Sequence, residues 1–372
     1  MKILLLTLLV LLNLEAKYQS SKSCAECHEE IYNEHASSMH HRSTIMGDEV
    51  HKKLYEAGGS SKYECALCHM PSSPNLASLM RGDLKAEDAD YTNPANSDGV
   101  SCFYCHQINK IHRSTSSNIN FTNIKEGQKP IFLGTLKNAM GSDVHESEYS
   151  ELFASSGVCM GCHSHKQNDF GIELCNSLDQ HGEASNCIEC HMPKKSGLVE
   201  KYNKGARSKH ASHEFLGVRS SELVKKAVSL DLSYDGDLTL SIENKMAHSI
   251  ITQPMRLKFV KTTITRGTEV IWSNFQESPL EDKEATFLIV FQDDEGNVSL
   301  PNSAKAYKIN QNLRSNTTKK VIYKDLALKS GDIVTSKWIS YTVNPNIAKK
   351  LGISDESVTK PIVGAETSIV IE

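Results

Sequence analysis

Five copies of the pattern Cys-x-x-Cys-His run through the first half of the chain, and nothing else in it restricts folding as strongly. They are Cys24…Cys27-His28, Cys65…Cys68-His69, Cys102…Cys105-His106, Cys159…Cys162-His163 and Cys187…Cys190-His191, and they use ten of the eleven cysteines. One helical turn brings both thiols to the same side of the backbone, where they can form thioethers with porphyrin vinyl groups. The histidine that follows then lies under the ring and ligates the iron. The pattern therefore points to five covalent c-type haems. Zinc is the competing chemistry, because paired Cys-x-x-Cys units also build tetrahedral sites. Pairing would leave one unit of five over and give no role to a histidine after every second cysteine. A disulfide framework fails similarly, since a bond within Cys-x-x-Cys is usually redox-active rather than structural.

At the N-terminus Lys2 precedes an apolar run at 3–12, and Leu14-Glu15-Ala16 follows with a small residue at the expected cleavage point. Residues 1–16 read as a secretory signal peptide, too short to span a membrane. No later stretch approaches transmembrane length, so no integral membrane segment is expected after cleavage. Export suits the cofactor, because haem is coupled to apocytochrome c outside the cytoplasmic membrane, and the expected compartment is a bacterial periplasm. Hydrophobic content is 39%, low for a globular chain. Haems would make up the deficit, since burying their apolar plates contributes roughly 25 cal/mol per Å². The formal net charge of −4 argues against nucleic acid or an anionic membrane surface as a partner. Haem propionates would add acidity and suit docking to a basic redox protein, of the class of a quinol-oxidising cytochrome or a terminal reductase.

Composition divides the 372 residues in two. Residues 17–215 hold every cysteine and all but one of the sixteen histidines. Short helices are expected at 26–38, 48–57 and 146–153, and polar stretches such as 114–123 read as loops wrapping cofactors. From about residue 220 the pattern becomes β. Val228, Leu230, Leu232 and Tyr234 alternate with polar residues, Asp235-Gly236 supplies a turn, and Leu238, Leu240 and Ile242 resume the alternation. Further strand candidates lie at 255–265, 268–272, 287–292, 320–323, 333–343 and 368–371. The expected fold is multidomain: a loop-rich, α-helical pentahaem cytochrome c domain at 17–215, then an all-β immunoglobulin-like sandwich at 220–372. Residues 224–372 lack cysteine, so the β domain carries no covalent haem.

Five irons need further ligands, and eleven histidines lie outside the proximal set. Bis-histidine coordination explains such an excess and lowers reduction potentials relative to methionine ligation. Several strings around the motifs resemble one superfamily of multihaem c-type cytochromes. They are Ser38-Met39-His40, the Cys-His-Met-Pro endings at 68–71 and 190–193, Gly99-Val100-Ser101-Cys102 and Cys105-His106-Gln107-Ile108. The superfamily includes the tetrahaem shuttle of ammonia oxidation, pentahaem nitrite reductase and octahaem hydroxylamine oxidoreductase. His213-Glu214-Phe215-Leu216-Gly217 and the spacing Asn244…His248…Pro254 resemble a subset whose haem domain is followed by a β-sandwich. The resemblance implies that His40, His51, His145, His213 and His248 are the distal ligands, with His41, His112 and His210 in reserve. Ligation by His248 would draw the β domain into the haem cluster. Met70 and Met192 directly follow proximal histidines and are expected to pack rather than ligate, with Pro71 and Pro193 ending the local helix. Related chains often carry an aromatic where His35 and His181 stand. Cys175, the odd thiol, reads as a buried or partly buried free cysteine, against a redox-active thiol near a haem or an intermolecular disulfide.

Two functions follow from different chemistry. Iron held by two histidines has no vacant position and exchanges electrons without binding substrate. A reductase of a small nitrogen or sulfur oxyanion needs one open haem, with residues such as Arg42, Arg81, Arg113 or Tyr104 stabilising charge. Pentahaem nitrite reductases mark that haem with Cys-x-x-Cys-Lys, and here all five motifs end in histidine. Electron transfer is therefore the preferred expectation. The β domain could also dock a catalytic or membrane partner.

Overall fold

The structure is a computed structural model that describes residues 18–59, 62–125, 128–178, 186–202 and 208–372. The expected signal peptide at 1–16, and His181, lie outside these residues. Among the described residues no helix is long and apolar enough to cross a membrane.

The first half is built of short helices linked by loops. Helix Glu29–Ser37 lies in the range expected at 26–38, and helix Glu49–Gly58 begins after Asp48, whose carboxylate caps it by accepting from the Val50 amide. The helix expected at 146–153 is half strand. Residues Glu146–Tyr149 pair in parallel with Ile131–Gly134, and only Glu151–Ala154 is helical. Partners across space satisfy these amides, which local periodicity cannot register. The stretch 114–123 is likewise not all loop, because Ile119–Thr122 pairs antiparallel with Ile108–His112. A small core gathers Ile45, Tyr63, Ala66, Met70 and Leu79. Met70 is fully enclosed there and accepts from the Tyr91 hydroxyl at 3.7 Å, a packing role.

Two antiparallel sheets make up the second half. Strands Val228–Asp235 and Asp237–Asn244 form a hairpin about Gly236, whose φ of 78° supplies the left-handed residue this tight turn needs. Thr318–Tyr323 completes a three-stranded sheet. The larger sheet has seven strands and centres on Leu257–Arg266, which pairs with Thr286–Gln292 and Ile333–Tyr341. Strands Val298–Ser299 and Ala306–Gln311 have no counterpart among the expected ones, because they are short or mostly exposed at an edge. Between the sheets, Leu238, Leu240, Ile242, Val260, Ile264, Phe287 and Trp338 form one buried core. Alternate residues of 237–244 point into it, as expected of a strand buried on one face.

The halves are docked, not tethered. Val50 and Leu54 of the Glu49–Gly58 helix pack on Met255, Val343, Ala348, Ile353 and Val358. The Glu49 carboxylate accepts from the amides of Ser354 at 3.1 Å and Asp355 at 2.7 Å. The Asn168 side chain donates to the carbonyls of Pro301 and Ala304 at 3.0 and 2.8 Å.

Candidate haem-binding site

Each Cys-x-x-Cys-His folds as a single turn. The histidine amide bonds back to the first cysteine's carbonyl, at 2.8 Å in His28–Cys24, 2.9 Å in His69–Cys65 and 3.1 Å in His106–Cys102. Helices Met160–His163 and Cys187–His191 turn the fourth and fifth motifs in the same way. Both thiols of a motif therefore lie on one face. Ser101 caps the third turn through its hydroxyl, which accepts from the Tyr104 amide at 3.1 Å. Just before it, Gly99 has a φ of 62°, and a Cβ there would come within 2.8 Å of the His41 carbonyl. The glycine lets this bend press on the segment carrying His40, whose carbonyl accepts from the Val100 amide at 2.9 Å. Gly99→Ala is expected to cost about 1–2 kcal/mol through the left-handed backbone alone. Denaturant unfolding checks this, and unchanged stability would contradict the left-handed conformation at Gly99.

Each proximal ring has a second imidazole beside it, and in four of the five the two rings stand at the span of a metal. Ring centres are 6.2 Å apart in His28–His145, 5.8 Å in His40–His163, 6.3 Å in His106–His213 and 6.3 Å in His191–His248. Two imidazoles on opposite sides of one metal, each bonded at about 2 Å, have centres about 6 Å apart. These four pairs match that span. The fifth pair, His51–His69, is closer at 4.2 Å, because both Nδ1 atoms donate to the same carbonyl, that of Ser43, at 2.8 and 2.9 Å.

The orientation of the rings is as telling as their spacing. Eight of these ten histidines turn Nδ1 to a backbone carbonyl. His28 donates to Val199 at 2.6 Å, His106 to Leu133 at 2.7 Å and His213 to Ala211 at 2.9 Å, while His191 donates to Leu216. Such a bond fixes the tautomer and leaves the Nε2 lone pair for a metal. Other histidines are turned the opposite way. Nε2 of His35 donates to Val100, that of His165 to Ser114, and that of His210 reaches the Glu34 carboxylate at 3.0 Å. Of the two remaining reserves, His41 packs on His35 at 5.4 Å and His112 is exposed at a strand end. Burial, reinforced by neighbouring imidazoles, lowers His40, His69 and His213 to about 3 and His163 to about 4. All four are therefore neutral near pH 7 and present a lone pair.

The string at 213–217 serves three centres at once. His213 faces His106, Phe215 packs edge-on against His40 at 4.1 Å, and the Leu216 carbonyl fixes His191. Phe215 holds a φ of 49°, a conformation unfavourable for a bulky residue and maintained here by these contacts. Phe153, stacked on His106 at 5.6 Å, and Phe132, 5.0 Å from His145, escape sequence reasoning because a lone phenylalanine has no distinguishing pattern. Burial pushes the Cys175 thiol up to about 12, so it is neutral.

Haem c fits this donor set. Thiols come in pairs on single turns, and four imidazole pairs stand at the span of a metal. Among the described residues no group of three or more His, Cys, Asp or Glu is gathered to hold a metal ion directly, as a zinc site would require. No family model matches the chain, and no curated protein matches it significantly. The crystal structure of a penta-haem cytochrome c552 from Thermochromatium tepidum is similar, with a TM-score of 0.75 and 22% identity. The match covers 96% of this chain and 100% of that one. This chain therefore has the fold of a multihaem c-type cytochrome.

Proposed function

We propose that the chain is a periplasmic pentahaem c-type cytochrome that transfers electrons in an anaerobic-type respiratory chain, between partners such as a quinol-oxidising cytochrome and a terminal reductase. The observation that carries this reading is the second imidazole standing at a metal's span from four of the five proximal histidines. On this assignment His145, His51, His213, His40 and His248 are the distal ligands of motifs one to five in turn. When bound, haem c supplies one-electron exchange at its iron, at a potential that a second histidine holds low.

The chain's own residues supply positioning. Backbone carbonyls fix the tautomers, burial keeps the imidazoles neutral, and the motifs are brought into contact in a definite order. The sulfurs of Cys24 and Cys102, of Cys68 and Cys162, and of Cys159 and Cys187 lie side by side. Cys105 lies within electrostatic reach of Cys159 and Cys162. Motifs one, three and four thus form a row, and motifs two and five both join at four. A branched row of this kind suits a carrier with more than one entry or exit. Residues 220–372 are read as a sandwich of immunoglobulin-like type, supported by two antiparallel sheets around one core.

Electron paramagnetic resonance of the oxidised protein tests the function. Only low-spin, six-coordinate signals are expected. A stoichiometric high-spin signal would favour the reductase.

A further inference from the structure

One carboxylate ties together chain segments from three of the motifs. Glu34 lies in the helix that follows motif one, and its side chain is only 10% exposed. It accepts from the backbone amide of His213 at 2.8 Å, from Nε2 of His210 at 3.0 Å and from the Lys195 ammonium at 3.4 Å. His213 is the distal ligand assigned to motif three. Lys195 belongs to the strand Lys194–Ser196, which follows motif five and pairs with Lys209–Ala211, so that Lys195 stands opposite His210. The same ammonium holds the Glu214 carboxylate at 2.9 Å. Burial raises Glu34, but donation from His213, His210 and Lys195 outweighs it and holds the carboxyl below the usual carboxylate range. The group is therefore ionised at neutral pH.

Two carboxylates, Glu34 and Glu214, share the one ammonium. The charge on Glu34 is also felt beyond the amide it holds. Burial lowers the His213 ring, and the Glu34 carboxylate acts on that ring in the opposite sense, favouring positive charge there. A charge that does so favours ferric over ferrous iron bonded to the same ring. The bond from the His213 amide is charge-assisted and fixes the backbone, while Nδ1 of the ring donates to the Ala211 carbonyl at 2.9 Å. We propose that Glu34 is a positioning residue for His213, which fixes that ligand's backbone and sets a negative charge beside the third centre, so that the centre's potential is held low. The proposal rests on the ligand assignment above. The helix of motif one would thereby act on motif three, its neighbour in the row.

Redox titration of the five-haem protein, followed by electron paramagnetic resonance, tests this. His213→Ala identifies the third centre by the low-spin signal that it abolishes. Glu34→Gln keeps an oxygen that can accept from the amide but removes the charge. That signal should then move to higher potential, further than any of the other four, with its g values kept. Glu34→Ala removes the acceptor as well and should also shift the g values, which follow the orientation of the imidazoles. Glu34→Asp keeps the charge and should restore part of the potential. Lys195→Met takes away the counter-charge and should move the same signal the opposite way, to lower potential. A third centre unmoved or lowered by Glu34→Gln, or moved as far by Glu34→Asp, would overturn the proposal and leave the ligand assignment standing. So would a rise, or no change, with Lys195→Met. If His213→Ala abolishes no low-spin signal, the ligand assignment falls and the proposal with it.

Discussion

Replacing His248 with alanine is expected to convert one centre in five from low-spin to high-spin and leave four unchanged. His248 stands 6.3 Å from His191, with the rings 20° from parallel, and its Nδ1 donates to the Ser249 carbonyl. Its own carbonyl accepts from the Asn244 side chain, which also bonds the carbonyls of Leu313 and Arg314 and so braces the turn from within the β half. Alanine removes the imidazole and leaves that brace intact, so the effect should be confined to the iron on motif five. The potential of that centre should also rise, because a second histidine lowers it. Electron paramagnetic resonance and a redox titration read both effects. If all five centres remain low-spin, His248 is not a ligand and the β half does not reach into the cluster.

Truncating Trp338 should be the most damaging change to the fold. Trp338 is fully buried between the sheets, 5.8 Å from Phe287. The strand Ile362–Val370 crosses it so closely that a Cβ on Gly364 would lie 2.6 Å from the indole. Trp338→Ala is expected to cost about 3–5 kcal/mol, the usual penalty for emptying a large core position. Against a total stability of about 5–15 kcal/mol, that loosens the whole β half. Because this half carries His248, the haem spectrum should change over the same denaturant range as the sheet signal. A loss below about 1 kcal/mol would mean that the core repacks around the gap.

Some of this organisation is visible in the sequence and some is not, for physical reasons. A covalent attachment motif is local, so each Cys-x-x-Cys-His declares itself within five residues. The hairpin about Gly236 is local too, because alternation and turn chemistry lie side by side. The partners of the rings are remote: Val199 fixes His28 from 171 residues away, and Leu216 fixes His191 from 25. Any residue can offer a backbone carbonyl, so nothing in the sequence marks these positions. The strand Glu146–Tyr149 was hidden because its partner lies outside any local window. Lys258 sits at the start of an ordinary strand pattern, where a cation reads as a solvated side chain until the fold buries it.

The central claim is that five tetrapyrroles are joined to one polypeptide through ten thioethers. Intact mass spectrometry of the purified protein, with a haemochrome assay on the same sample, tests it most directly. The account predicts a red protein whose mass exceeds that of the processed chain by five haems, retained after denaturation. A colourless protein, or one carrying fewer than five, would contradict it.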